Sequence, residues 1–244
     1  MMQKKNDTVL AEVCVSIIYT ANSGIAPGGD YEFILEIHGQ IQGSDPENDG
    51  PEVNLGTMDL YLVRVGMAIN EGARLYDVFD TYQETMDLAE VVYDDDFTGF
   101  SAAVHRRFED ADPSGDILLL HRLTLDPLVR GQRLGLAAMH QAVRDWSSGC
   151  SLVVMKPFPL QFEANAKGSP TWHELRLDRF PSRKKAAFVK LVDYYRPLGF
   201  KRLGRSEFFG YCTYNRMVSW EALGLPESYT IPKCMLAKGD LSNQ

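Results

Sequence analysis

The chain has 244 residues, 45% of them hydrophobic and 24% charged, with a net charge of −8. Apolar content at this level excludes disorder for most of the chain, and the length allows a sizeable core without disulfide or metal staples. The negative balance speaks against a general nucleic-acid binder, and no apolar run approaches the ~20 residues of a membrane span.

The N-terminal stretch has neither the long apolar segment nor the small-residue cleavage site of a signal peptide, which predicts a cytoplasmic protein. Cys14, Cys150, Cys212 and Cys234 are far apart, without CxxC spacing and without His at metal-ligand offsets. They read as small buried hydrophobes, and no metal is expected. Charge is split along the chain. Residues 1–116 carry 23 Asp and Glu against 6 Lys and Arg, whereas 117–244 carry 10 against 19. The second half therefore has the balance of a segment that meets an anion, unless its basic face only neutralises the acidic half.

Val9–Thr20, Tyr31–Gln42 and Asp59–Ala68 are rich in Val, Ile, Leu and Tyr and predict three strands. Turn formers separate them at Asn22-Ser23-Gly24, Pro27-Gly28-Gly29 and the exposed loop Gly43–Pro51. Leu75 to Tyr93 predicts one acidic helix, with Leu75, Val78, Phe79, Tyr82, Met86 and Ala89 at three- and four-residue steps. Asp94-Asp95-Asp96 reads as a solvated loop, with a cation site as the alternative. Asp116–Leu125 is a strand, Gly131–Trp146 a helix and Ser151–Lys156 a short apolar strand ended by Pro157 and Pro159. Gln161–Pro181 is polar and irregular, in keeping with a capping or functional loop. Ser182 is placed to cap a helix to about Arg196, stopped by Pro197-Leu198-Gly199. Lys201–Leu203 and Phe209–Met217 predict two more strands. Alternating strands and helices imply an α/β layer with at least one parallel pair.

The most informative segment is Leu123 to Ala138. A strand ends at Asp126-Pro127, a basic turn with Gly131 and Gly135 follows, and a helix begins at once. The first N–H groups of a helix lack internal partners, and its dipole favours an anion there. Arg130 and Arg133 add charge and forked donors. A P-loop needs GxxxxGK[ST], and a dinucleotide fold needs GxGxxG after the first strand; neither is present.

This segment resembles the GNAT (Gcn5-related N-acetyltransferase) superfamily. The family hallmark is an apolar strand, then V-x-P-x-x-R-G-x-G-x-G, then a helix whose N-terminus holds the pyrophosphate of acetyl-CoA. Leu125-Asp126-Pro127-Leu128-Val129-Arg130-Gly131-Gln132-Arg133-Leu134-Gly135 follows that pattern, except that Arg133 stands at the first of the two late glycines. A second register reads Gln132 to Ala137 as Q-x-x-G-x-A. Tyr195-Arg196-Pro197-Leu198-Gly199-Phe200 matches the family's later Y-x-x-x-G-F. The resemblance spans roughly residues 116–218 and leaves the N-terminal third unmatched.

What the resemblance implies is a GNAT-like mixed central sheet flanked by helices, with extra N-terminal strands. Residues 1–115 would be part of that domain or an appended substrate-selecting region, 116–220 the acyl-CoA-binding core, and 221–244 a C-terminal tail. The implied activity is acetyl transfer from acetyl-CoA to a small-molecule or peptide amine, with no metal and with a homodimer left open. The backbone around Leu123, Thr124 and Leu125 would face the thioester, and Arg130, Gly131, Gln132, Arg133, Leu134 and Gly135 would hold the pyrophosphate. Tyr195 would be the general acid, though Phe188, Leu191, Val192 and Tyr195 also form a core stripe; Tyr194 is the weaker candidate. For the base, His121 shares strand parity with Leu119, Leu123 and Leu125. Asp116, His173, Glu174 or a water chain are the alternatives. Arg183, Lys184 and Lys185 are either a solvated face or a contact for the nucleotide 3′-phosphate. Two other readings stay open: a catalytically idle acyl-CoA-binding or interaction module, and an α/β protein for another phosphorylated ligand.

Overall fold

The computed structural model describes residues 9–22, 29–46 and 52–236. Of the expected turns Asn22-Ser23-Gly24 and Pro27-Gly28-Gly29 only Asn22 and Gly29 lie among them; of the expected loop Gly43–Pro51 residues 47–51 lie outside, and Gly43 and Ser44 belong to a strand instead, Gly43 buried. The fold is mixed α/β, an open eight-stranded sheet flanked by helices. The strands are β1 (Leu10–Asn22), β2 (Ile34–Ser44), β3 (Val53–Val63), β4 (Asp116–Leu125), β5 (Cys150–Met155), β6 (Lys201–Arg202), β7 (Phe209–Cys212) and β8 (Tyr229–Pro232). Their order is β6-β7-β5-β4-β3-β2-β1-β8, antiparallel throughout except for β4 and β5. Residues 1–115 thus add strands directly onto β4, and the segment after residue 220 supplies β8 on the far side of β1. Among the described residues no helix is long and apolar enough to cross a membrane, and no group of His, Cys, Asp and Glu is arranged to hold a metal ion.

Two apolar layers sandwich the sheet. One face packs on helix α5 (Leu134–Trp146), on α7 (Lys184–Tyr195) and on the C-terminal segment at Leu223, Leu225 and Tyr229. The other face is covered beside β4 and β5 by α1 (Val65–Asn70), α2 (Leu75–Phe79), α3 (Gln83–Val92) and α4 (Ala102–His105). Over β2 that second face is open: Glu36, His38 and Gln40 are exposed while Ile37 and Ile41 are buried. This is the period-two pattern of a sheet with one wet face.

Several expected elements have different bounds. The single acidic helix is broken into α2 and α3, because the fully buried Thr85 hydroxyl donates to the carbonyls of Phe79 (2.7 Å) and Tyr82 (2.9 Å), fixing a turn between them. The third strand starts at Val53, and Ala68 belongs to α1 instead. The loop 161–181 contains α6 (Pro170–Glu174), capped by Ser169, and a 3-10 turn at Leu177–Arg179. Helix α7 has Arg183 at its N-cap, with no side-chain cap. Cys150 and Cys212 are buried as expected, but Cys14 and Cys234 are exposed.

Gly56 hides β3 from sequence reading, yet it is needed there. A Cβ at this position would stand 2.2 Å from the Thr124 carbonyl oxygen of β4. Gly56→Ala is therefore expected to force the two backbones apart. At an overpacking cost of ~1–3 kcal/mol and ~2–4 °C per kcal/mol, thermal unfolding should begin roughly 5 °C lower or more. An unchanged melting temperature would show that the two strands do not meet in this register.

Candidate functional site

The parallel pairing of β4 with β5 runs only from Asp116 to Leu120, opposite Cys150 to Met155. Pro157 and Pro159 then carry the chain away from the sheet, since proline has no N–H for a ladder. β4 continues to Leu125, so its last five residues have no strand on that edge. The gap opens into a cavity of about 640 Å³. It is lined from one face of the sheet by Leu134, Gly135, Met139, Tyr194 and Tyr195, and from the other by Glu84, Asp87 and Phe208. The cavity therefore passes between the strands and reaches both layers.

A β-bulge sits at the edge of this gap. Leu60 pairs with Leu120 but Asp59 pairs with Arg122, which leaves His121 without a partner. An extra residue in one strand shifts every later side chain. Leu119 packs in the helical layer of α1–α4 and His121 stays on that side, with its ring 5.5 Å from that of Tyr61. Leu123 and Leu125 pack on the opposite face. The expected shared parity of His121 with Leu123 and Leu125 is thus corrected: the bulge separates them.

The turn before α5 has the backbone pattern that suits an anion. Gly131 (φ 90°) and Arg133 (φ 62°) are left-handed, whereas Arg130 and Gln132 are not. Alternation of this kind turns successive N–H groups toward one point. Among the described residues no acceptor takes the N–H groups of Gly131, Arg133 or Leu134, whereas that of Gln132 closes the turn at residues 130–131. They open a 13-residue helix whose dipole adds to their field. Tyr194 sits over the amides that follow: Leu136 donates to the Arg133 carbonyl at 2.9 Å and shares its N–H with the Tyr194 hydroxyl at 3.2 Å, and that oxygen lies 2.9 Å from where a Gly135 Cβ would be. Tyr194 is 36% exposed, so its ring has solvent to turn into.

The two guanidinium groups do other work than the sequence suggests. Arg130 donates through Nε and Nη2 to the Leu125 carbonyl (3.1 and 2.8 Å) and through Nη1 to that of Leu175 (2.8 Å), beneath the Phe180 ring. Burial lowers its pKa, but an arginine stays charged. It ties the unpaired end of β4 to the loop roofing the cavity. Arg133 donates to Leu223 (2.6 Å), and Gln132 exchanges hydrogen bonds with the backbone of Thr230. Both side chains point at the C-terminal segment; the cavity itself is lined by Arg130, Gly131, Leu134 and Gly135.

His121 and Tyr195 line the same cavity, as do Leu123, Thr124 and Leu125. Tyr195 is buried, and burial, then the neighbouring Tyr194, raises its pKa, so it keeps its proton. Asp116 lies at the opposite end of β4, where its carboxylate accepts from the Gly66 N–H (3.1 Å) and burial raises its pKa. His173 and Glu174 are exposed on α6 and outside the lining. Arg183 and Lys185 lie on the outer side of α7 beside Lys190, and Lys184 stands over the Phe158 ring at 5.2 Å.

Sequence reading missed the groups around the far mouth. Tyr61 and Tyr82 are in contact (5.2 Å between rings), and Tyr82 donates a short hydrogen bond to Glu36. Asp59 holds His38 at 2.7 Å, Lys156 meets Asp87 at 3.2 Å, and Arg122 meets Glu163 at 2.8 Å. Their available signal was the alternation of β2, which marks one face as wet. Comparison of the chain with protein-family models, with curated proteins and with solved structures finds no match to any of them.

Proposed function

We propose that the protein is an acyl-CoA-dependent N-acyltransferase with a GNAT-like core, which moves an acetyl group from acetyl-CoA to an amine. The observation that carries the reading is the cavity through the sheet, with the helix-opening amides of α5 at one end and His121, set by the bulge of β4, beside the other. Such a passage lets two substrates approach from opposite layers and meet at the unpaired edge of β4. The diphosphate of the coenzyme sits on the N–H groups of Gly131, Arg133 and Leu134, and its thioester arm runs along Leu123–Leu125. A main-chain N–H of that edge polarises the acyl carbonyl as negative charge develops on its oxygen. His121 takes the proton from the attacking ammonium, directly or through one water. Tyr195 gives its proton to the departing sulfur.

A catalytically idle coenzyme-binding module is the second reading, and the Tyr194 hydroxyl on Leu136 favours it, because this ring covers part of the start of α5. The two separate in one experiment. Purified protein is incubated with acetyl-CoA and a panel of primary amines, and mass spectrometry follows amide formation while calorimetry follows coenzyme A binding. Binding with transfer is the expected result. Binding without transfer to any amine establishes the idle module, and absence of binding removes both readings.

A further inference from the structure

The far mouth of the cavity is rich in carboxylates and phenols. Beside His121 stands the Tyr61 ring, itself tilted against that of Tyr82, with several carboxylates around them, and the ion pairs do not cancel these. Of the four cations lining the cavity, Lys156 pairs with Asp87 and Arg122 with Glu163, while Arg130 and Lys190 belong to the turn before α5 and to α7, on the other layer. Of the remaining carboxylates, Asp59 holds the exposed His38 and Glu36 accepts from Tyr82. Glu84, on the first turn of α3 and lining the cavity, has no cation among the described residues. Together these groups push the Tyr61 phenol up to about 12, through burial first and then through Glu84, Glu36 and Asp59. Burial accounts for the largest part of that shift; the contributions of Glu84, Glu36 and Asp59 are the part that marks negative charge around the ring next to His121. Aromatic faces flanked by carboxylates are the chemistry that holds an organic cation.

We infer that the acceptor is a dicationic amine, one nitrogen reacting at His121 while a second ammonium rests between Glu84 and the Tyr61–Tyr82 pair. The inference rests on the acyltransferase reading of the same cavity. In the transfer the reacting nitrogen loses two protons in all. It forms a bond to the acyl carbon as the carbon–sulfur bond breaks. The sulfur leaves with that electron pair and takes one proton by way of Tyr195, and the other proton passes to solvent. The second ammonium stays protonated and only positions the chain. A neutral or acidic substituent at that place would face Glu84 without compensation, which rejects it.

The test compares 1,4-diaminobutane with butylamine and 4-aminobutanol as acceptors of the acetyl group from acetyl-CoA. For the wild type, kcat/KM for the diamine should exceed that for the other two by at least tenfold, and rising salt should shrink the difference. Glu84→Gln should lower kcat/KM for the diamine at least fivefold more than for butylamine, with circular dichroism verifying the fold. Equal rates for the three amines, or an equal loss for both in the variant, overturn the inference. Coenzyme A calorimetry on the same samples keeps the failures apart. If coenzyme A binds and the amines are acetylated indiscriminately, only the acceptor class falls; if it does not bind, the acyltransferase reading falls with it.

Discussion

Gly131→Asp should weaken coenzyme A binding about a hundredfold while the protein stays folded. Nothing lies within 4 Å of a Cβ built at Gly131, so the side chain meets no steric obstacle. The backbone there has φ 90°, a region where Asp is among the less disfavoured residues. Strain of ~1–2 kcal/mol should lower the melting temperature by only a few degrees. The new carboxylate, however, stands beside the N–H groups of Gly131, Arg133 and Leu134, which take no acceptor among the described residues. Against a phosphate charge ~5 Å away it costs roughly 3 kcal/mol at an effective dielectric constant near 20, and ~2.7 kcal/mol is a hundredfold in affinity. Gly131→Asn has the same shape and the same strain without the charge, and should keep most of the affinity. Calorimetric titration of both variants decides the matter: equal dissociation constants for Asp and Asn would move the diphosphate away from this turn.

The turn was legible because its logic is local. A strand end, two glycines and a helix start within a dozen residues are enough to expose a row of amides, and β4, α5 and β5 follow from apolar runs and proline stops. What escaped depends on partners far away in sequence. The bulge that isolates His121 exists only in the register of β4 against β3, and it moves Leu123 and Leu125 to the other face. Arg130 and Arg133 look like phosphate ligands in isolation, but their carbonyl partners lie 45 and 90 residues further on, at Leu175 and Leu223. Arg133 also shows what a departure from a motif can mean. The position is left-handed, as a glycine there would be, and the long side chain occupies it while bracing the C-terminal segment. Glycine weakens a strand by propensity, yet at Gly56 close backbone approach is what demands it. The carboxylates and phenols of the far mouth come from β2, β3 and α3, which no local motif links.

Tyr195→Phe should cut turnover about a hundredfold, within the ~10²–10⁴ range of a lost general acid, and leave the dissociation constant for coenzyme A within twofold. The substitution keeps the ring that packs with Leu134, Met139 and Leu198 in the core and removes only the hydroxyl. A purely structural tyrosine would therefore show no change in kcat. Burial and the adjacent Tyr194 keep the phenol protonated, so at neutral pH it always carries the proton the departing thiolate needs. Tyr194→Phe is the informative partner. Its ring meets Tyr195 edge-on at 5.0 Å, but its oxygen lies over the Leu136 amide rather than deep in the core. Loss of that hydroxyl uncovers the start of α5, so the expected change is in coenzyme affinity, with kcat nearly unaltered. Opposite signatures from adjacent tyrosines, one in kcat and one in Kd, distinguish proton delivery from guarding the entrance, because a general disturbance of α7 would move both quantities in both variants.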